Sequence, residues 1–373
     1  MSSIAVEVPH LVRKLHKYIS LALLSVWIVQ AVTGISSVFH RELDAALLDA
    51  GPVPLDEAVL ARRIDELRLS RKPARLSSVY ASGGDPTQFD VFLHTPDDGL
   101  HVLRLDGQGN LLRERPWAID FVRAGALQSM RLIHESLFLD TGAALFIGLS
   151  GLLLATNLAL GMRQAWPGRG QWRKTLTARA PARTDMRLLA WHKAVGLWIS
   201  VPLLIVVSSG VLTAWTGDIE SLIGEPAQSV HSSAVGPAYR EERQISLQQA
   251  LAAARDIYPD ARLSIVGMPA DGQPYFAIRL LQADEMRRVF GKTSVYVDAQ
   301  GAGILATLDP SSRPAINRFV DAFYAVHTGE AAGLAGRVLG LLCGLGLLVT
   351  MLLGLSLWMN RSLRRSVRSK PAG

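Results

Sequence analysis

Four histidines sit near the ends of long apolar segments, and their surroundings repeat. Leu15-His16-Lys17 precedes one such segment and Trp191-His192-Lys193 another, each with a glycine eighteen residues on, Gly34 and Gly210. His134 and His327 each open a further segment, with glycines 17 and 27 residues downstream: Gly151 and Gly161 for the first, Gly344 and Gly354 for the second. Ionisable side chains at membrane helices are costly and mark functional positions. A neutral imidazole is also an axial ligand for haem iron. Eighteen residues make five whole turns, so Gly34 shares a helix face with His16 about 27 Å along the axis, and Gly210 relates to His192 in the same way. A backbone without a side chain admits a flat macrocycle. The pattern predicts two bis-histidine sites, one per membrane side: His16 with His192, and His134 with His327, with Gly34 and Gly210 beside the cofactor. His40 has no counterpart, the matching position being Thr216. It is turned about 120° from the His16 face and is an alternative outer ligand. Two other readings of the same residues stand beside this one: small residues packing helices with interfacial histidines, and a proton or ion pathway. One spacing sits awkwardly, since 27 residues from His134 to Gly161 would span about 40 Å of straight helix.

The segments that must position these rings are membrane spans. Tyr18–Phe39, Thr141–Met162, Ala194–Gly217 and Val338–Asn360 carry no charge, and each is long enough to cross a bilayer core as a helix. Pro202 predicts a kink in the third. Of the whole chain, 49% is hydrophobic and 19% charged, below the roughly 25% charge of soluble domains. The formal charge of +7 is a topology signal. Arg13, Lys14 and Lys17, the cations between spans two and three from Arg163 to Arg187, and the tail from Arg361 to Lys370 hold fifteen cations against Glu7 and Asp185. Lys and Arg favour the cytoplasmic side, so both termini are expected inside and the two long segments outside. This placement leaves no charge that calls for a nucleic-acid partner. Cys343 is the one cysteine, which excludes an intrachain disulfide and any Cys-based zinc or iron–sulfur site made by this chain alone.

The long segments repeat too. Leu55-Asp56-Glu57-Ala58 is echoed by Leu247-Gln248-Gln249-Ala250, and Asp106-Gly107-Gln108-Gly109 by Asp298-Ala299-Gln300-Gly301. Each segment reads as a helix, Leu55–Leu67 or Leu247–Ile257, followed by short alternating runs ending in hairpin-turn chemistry. The runs are Leu76–Tyr80, Phe89–His94 and His101–Leu105, then Arg262–Val266, Tyr275–Leu281 and Ser294–Val297. The fold expected is an internally duplicated α-helical membrane protein with four transmembrane helices and two outer α+β domains. Its divisions are 1–40 (N-terminus and first span), 41–133 (outer domain), 134–163 (second span), 164–190 (basic loop), 191–217 (third span), 218–326 (outer domain), 327–360 (fourth span) and 361–373 (basic tail). His94, His101 and His231 read as surface residues. Arg131, Arg318 and Asp321 read as interfacial charges with a lesser prospect of touching a ligand or haem propionates.

In order and duplication, the His-Lys openings, the Asp-x-Gln-Gly turns and the histidines before the returning spans resemble the PepSY-associated transmembrane family, from Val12 to about Arg361. The resemblance implies PepSY-like periplasmic domains in a multi-pass protein of a bacterial inner membrane. Some members look like ferric-siderophore reductases with b-type haems, those for ferrioxamine being nearest in length and layout. It therefore implies two haem b groups, a ferric siderophore of ferrioxamine-like type as substrate, and release of Fe(II). The electron donor is unidentified, for the chain has neither a dinucleotide fingerprint nor a P-loop. The alternative is an accessory membrane protein that binds siderophore or iron-uptake partners without chemistry.

Overall fold

The computed structural model describes residues 2–48, 50–97, 99–179, 183–223 and 243–368; His231 and Lys370 lie outside them. The chain forms two compact units. One comprises Met1–Val38, Ile133–Thr216 and Phe323–Gly373, and the other Phe39–Leu132 and Gly217–Ala322.

The first unit is a helical bundle. Its long members are α1 (Ser2–Ser37), α5 (Ala143–Ala165), α7 (Thr184–Ala214) and α11 (Gly333–Arg368), with the short α6 (Trp172–Leu176) between α5 and α7 and the short α8 (Thr216–Leu222) following α7 in the chain. They pack in a ring: α1 on α5, α5 on α7, α7 on α11, and α11 on α1. Four helices among the described residues are long and apolar enough to cross a membrane. Their outer faces carry exposed large apolar side chains, such as Phe146, Leu149, Leu153, Val201, Ile205, Leu342 and Leu352. Water disfavours such a belt and lipid accepts it. Inside the ring, Trp27, Ala31, Leu154, Leu203, Cys343 and Leu347 form a packed core. The helix α7 runs through Pro202 without ending.

Two amphipathic helices precede the returning spans, α4 (Ala126–Ser136) before α5 and α10 (Ala315–His327) before α11. His134 and His327 lie in their last turns and do not open the spans themselves. The chain breaks after His134, with Leu137 and Phe138 at positive φ and Gly142 in the left-handed region. It breaks after His327 at Gly329, φ 77°. The expected 40 Å between His134 and Gly161 therefore does not apply, because no single helix joins them.

The second unit is built on one antiparallel sheet. Its strands are β1 (Arg75–Ala81), β2 (Phe89–Thr95), β3 (Gly99–Leu105), β4 (Leu111–Pro116), β5 (Arg262–Gly267), β6 (Tyr275–Leu281), β7 (Thr293–Asp298) and β8 (Ile304–Leu308). The order is β4-β3-β2-β1-β5-β6-β7-β8. The two α+β segments thus share one sheet, joined where Ser78, Val79 and Tyr80 pair with Gly267, Val266 and Ile265. Pairing there covers what would otherwise be two open edges. Helices α3 (Glu57–Ser70) and α9 (Leu247–Ile257) each have a side-chain N-cap, Asp56 and Ser246. Their apolar stripes, Leu60-Ala61-Ile64-Leu67 and Leu247-Ala250-Leu251-Ala254, join Phe89, Val91, Leu103, Phe276 and Ile278 in one core.

A short helix, α2 (His40–Ala46), carries Asp44, which is buried. Its carboxylate accepts hydrogen bonds from Arg104 (3.1 Å), Arg113 (2.6 Å) and Arg115 (3.3 Å). Arg104 also donates to Asp90 at 2.6 Å and 3.0 Å. Burial alone would raise the Asp44 carboxyl, but the Arg113 hydrogen bond and the charges of Arg115 and Arg104 outweigh it and hold the group below its ordinary value. A depressed folded value means that this stabilisation is present above the unfolded value of 3.8 and is lost as pH falls through it and the lower folded value. Removing one partner of such a buried cluster costs about 3–5 kcal/mol. Asp44→Ala is therefore expected to melt well below the wild type at pH 7, with the gap closing below about pH 4. A thermal-melting series against pH checks this, and a gap independent of pH would refute it.

Candidate functional site: two imidazole pairs

The four histidines meet in two pairs within the helical unit. The ring centres of His16 and His192 are 6.3 Å apart with planes at 64°. Those of His134 and His327 are 6.2 Å apart with planes at 15°. All four rings are partly buried. His16 and His192 sit on α1 and α7, which face each other across the bundle, and His134 and His327 come from α4 and α10.

Each ring is seated by one device used four times. Nδ1 of His16 donates to the carbonyl of Asn157 (3.1 Å), His134 to Gln30 (3.2 Å), His192 to Thr350 (2.9 Å) and His327 to Val206 (2.9 Å). In every case a glycine lies four residues after that carbonyl: Gly161, Gly34, Gly354 and Gly210. A Cβ on these glycines would approach the imidazole Cε1 to 3.0, 2.9, 3.1 and 2.7 Å respectively. The carbonyl of residue i in a helix already accepts from the N–H of i+4. Its second lone pair is reachable only if the side chain at i+4 is absent, which explains the glycine. Because a carbonyl can only accept, Nδ1 carries the proton and Nε2 keeps its lone pair.

Neighbouring groups fix the outer parts of the device. Gln30 Nε2 donates back to the His134 carbonyl (3.3 Å), and Thr33 Oγ1 lies 3.3 Å from His134 Nδ1. Asn157 Nδ2 donates to Ser20 Oγ (2.8 Å), which in turn donates to the His16 carbonyl (2.6 Å).

Gly34 and Gly210, expected from their spacing to lie against a macrocycle, each seat an imidazole from another helix, His134 and His327 respectively. Gly161 and Gly354 belong to the site equally, and the signal for them was the repeated spacing of 27 residues. His40 opens α2 in the sheet unit and lines a cavity there; it is in neither pair. His94 lines the same cavity, and His101 lies 4.0 Å from Glu114. Arg131 stacks over Trp117 at 4.6 Å. Asp321 is paired with Arg313 (2.7 Å) and Lys292 (2.9 Å), while Arg318 is exposed.

Among the described residues no three or more His, Cys, Asp or Glu side chains cluster in a way that could hold a metal ion. The donors come in twos. A ligand seated here must bring the rest of its coordination with it.

A family model described as the PepSY-associated TM region matches residues 13–361. The chain belongs to that family. As a member of the PepSY-associated TM family, it is a multi-pass membrane protein whose four apolar helices contact lipid. No curated protein sequence matches the chain.

The glycine device yields a direct test. Gly210→Ala forces the His327 ring off the Val206 carbonyl and should lower stability by about 1–3 kcal/mol, the range for overpacking. Gly340 lies on α11 with nothing near its missing Cβ, so Gly340→Ala should raise stability by about 0.5–1 kcal/mol. Melting of the purified protein in detergent reads both. Equal shifts in the two variants would remove the special role of Gly210.

Proposed function

We propose that the protein is a two-haem electron carrier of a bacterial inner membrane, which reduces a ferric siderophore on the periplasmic side and so releases Fe(II). The observation that carries this reading is the two close imidazole pairs, each ring with Nδ1 spent on a backbone carbonyl and Nε2 left as a donor. A metal–imidazole bond is about 2 Å and a ring nitrogen lies about 1 Å from its ring centre, so two imidazoles that shared one metal would have their centres within about 6 Å of each other. The pairs here stand at 6.3 and 6.2 Å. Two neutral donors without a third match a metal whose other ligands come from a porphyrin. His16 and His192 would hold one haem, and His134 and His327 the other. When bound, haem supplies one-electron oxidation and reduction at iron, tuned by its axial ligands and burial.

The remaining work falls to the chain. The Nδ1–H···O=C bonds orient each ring and set its tautomer, as outer-shell partners do for metal-bound histidines. His16 and Gly34, at the two layers, are separated on α1 by about 27 Å of helix rise. Between them Trp27 fills the bundle, its Nε1 donating to the Ser150 carbonyl at 3.3 Å. This packed middle keeps water and ions out of the path between layers. The basic loop between α5 and α7 favours the cytoplasm, so His16 and His192 form the inner layer and His134 and His327 the outer one. A separate reduced donor would supply one electron at the inner layer, and ferric iron outside would accept it. Hard oxygen ligands hold ferric iron more tightly than ferrous, so the chelate loosens on reduction. Duplication of one unit, inner histidine to outer histidine, accounts for the paired ligands.

Purified protein from haem-replete cells should show a Soret band and, on reduction, α-bands for two haems. His134→Ala or His327→Ala should remove about half of that absorbance and His16→Ala the other half. An unpigmented wild type would leave the accessory-binding reading, which calls for no cofactor.

A further inference from the structure

Where α5 ends, the helical unit contains a cavity of about 270 Å³. Its walls come from separate stretches of chain: Trp166 and Pro167 just after α5, Lys174 on α6, Arg179 beyond it, and Lys193 on α7. Three cations thus meet on one space. The segment that carries two of them is fastened to α7 by Trp198, whose Nε1 donates to the Leu176 carbonyl at 3.3 Å.

The chain supplies no anion to this space. No Asp or Glu lines it. From Arg163 to Lys193 the sequence holds one acidic residue, Asp185, and its carboxylate is engaged by Arg183 (3.3 Å) and Arg364 (3.8 Å). The carbonyl end of α5 contributes about half a negative charge, too little against three cations. Topology asks only that loop cations lie on one side of the membrane; it does not bring three of them to one cavity. Depth is marked by four exposed tryptophans. Trp166 and Trp172 meet edge to face at 5.0 Å, and Trp191 and Trp198 flank Lys193 along α7. Such rings concentrate at the level of lipid headgroups. From Trp198 an exposed apolar stripe continues along α7 through Val201 and Ile205, at the spacing of one helix face.

We propose that this cavity is a binding site for the phosphate of an anionic phospholipid. The phosphodiester oxygens meet the Lys174 and Lys193 ammoniums and the Arg179 guanidinium, and the acyl chains follow the Trp198–Val201–Ile205 stripe. A basic pocket between membrane helices on the cytoplasmic side is where such headgroups bind. A free phosphate shares the charge but has nothing to lay on the stripe, and a zwitterionic headgroup brings its own cation toward three others. Assignment to the cytoplasmic leaflet rests on the orientation proposed above, while the binding itself does not.

Native mass spectrometry of the full chain in detergent tests this, with phosphatidylglycerol and phosphatidylcholine of identical acyl chains as titrants. Phosphatidylglycerol should bind saturably at one tight site per chain, at least about tenfold more tightly than phosphatidylcholine. Lys174→Gln with Arg179→Gln should weaken that binding at least about tenfold. Lys193→Gln, on a different element, should weaken it as well, so a local defect around α6 cannot decide the outcome. Arg169→Gln with Arg173→Gln removes the same charge from the same loop but not from the lining and should leave the affinity within about twofold. Equal binding of the two lipids, an equal loss in the two double variants, or unchanged affinity in both Lys174→Gln/Arg179→Gln and Lys193→Gln would overturn the proposal. So would displacement of phosphatidylglycerol by excess inorganic phosphate, which would assign a soluble phosphate as the ligand. Visible spectra of the same samples keep the two claims apart. Haem bands without selective lipid binding sink the cavity alone, and selective lipid binding without haem bands sinks the electron-carrier reading alone.

Discussion

A helical carbonyl has two lone pairs and normally uses one. At Gln30, Asn157, Val206 and Thr350 the second is given to an imidazole N–H, and a glycine one turn later makes the space for it. Each glycine weakens its helix by about 1 kcal/mol relative to alanine. The hydrogen bond gained in apolar surroundings offsets a cost of that size. The ring is held at a fixed height and in one tautomer, with its other nitrogen left as a donor. Every arrangement of donors in the bundle depends on this contact, because without it the imidazoles would have only the stiffness of their own side chains. It also ties helices together in a defined pattern: α1 to α5, α4 to α1, α7 to α11, and α10 to α7.

Much of the bundle was legible in the residues. The four charge-free runs mark the spans because lipid tolerates no other backbone arrangement. The helices extend beyond them, since α1 continues back through Arg13 and Lys17 and α11 on through Arg361 and Arg364, and helix and hydrocarbon thickness end at different places. The pairing of His16 with His192 and of His134 with His327 followed from their duplicated spacing. What that spacing did not reveal was the partner of each glycine. Helical periodicity compares residues on one helix, whereas Gly34 serves a ring arriving from α4 and Gly161 a ring arriving from α1. The break after His134 was hidden as well, because Leu137 and Phe138 adopt positive φ without the glycine that usually announces it.

In the sheet unit, the strands with alternating burial were visible and the outermost ones were not. Residues Leu111–Pro116 carry two arginines and a glutamate, and Ile304–Leu308 is only five residues long; charge and brevity are how edge strands avoid unwanted pairing. The union of the two α+β segments into one sheet was invisible for a different reason. The β1–β5 contact joins residues far apart in the chain, and no local pattern encodes it. The Asp44 cluster is similar: its three arginines come from β3 and β4, after a long stretch of intervening chain.

That seam carries a further consequence. Its register covers three residues on each side, Ser78–Tyr80 against Ile265–Gly267, and with the packing of α3 on α9 it joins two four-stranded halves, each with a naked edge of its own, into one eight-stranded sheet. A gene fragment encoding either half would expose a row of unsatisfied amide and carbonyl groups on β1 or β5, flanked by a large apolar face once shielded by the neighbouring helix. Because the seam is antiparallel, such a fragment could meet a second copy of itself through the same strand, related by a twofold axis. Half-length chains of this design would therefore self-associate or precipitate instead of persisting as monomers.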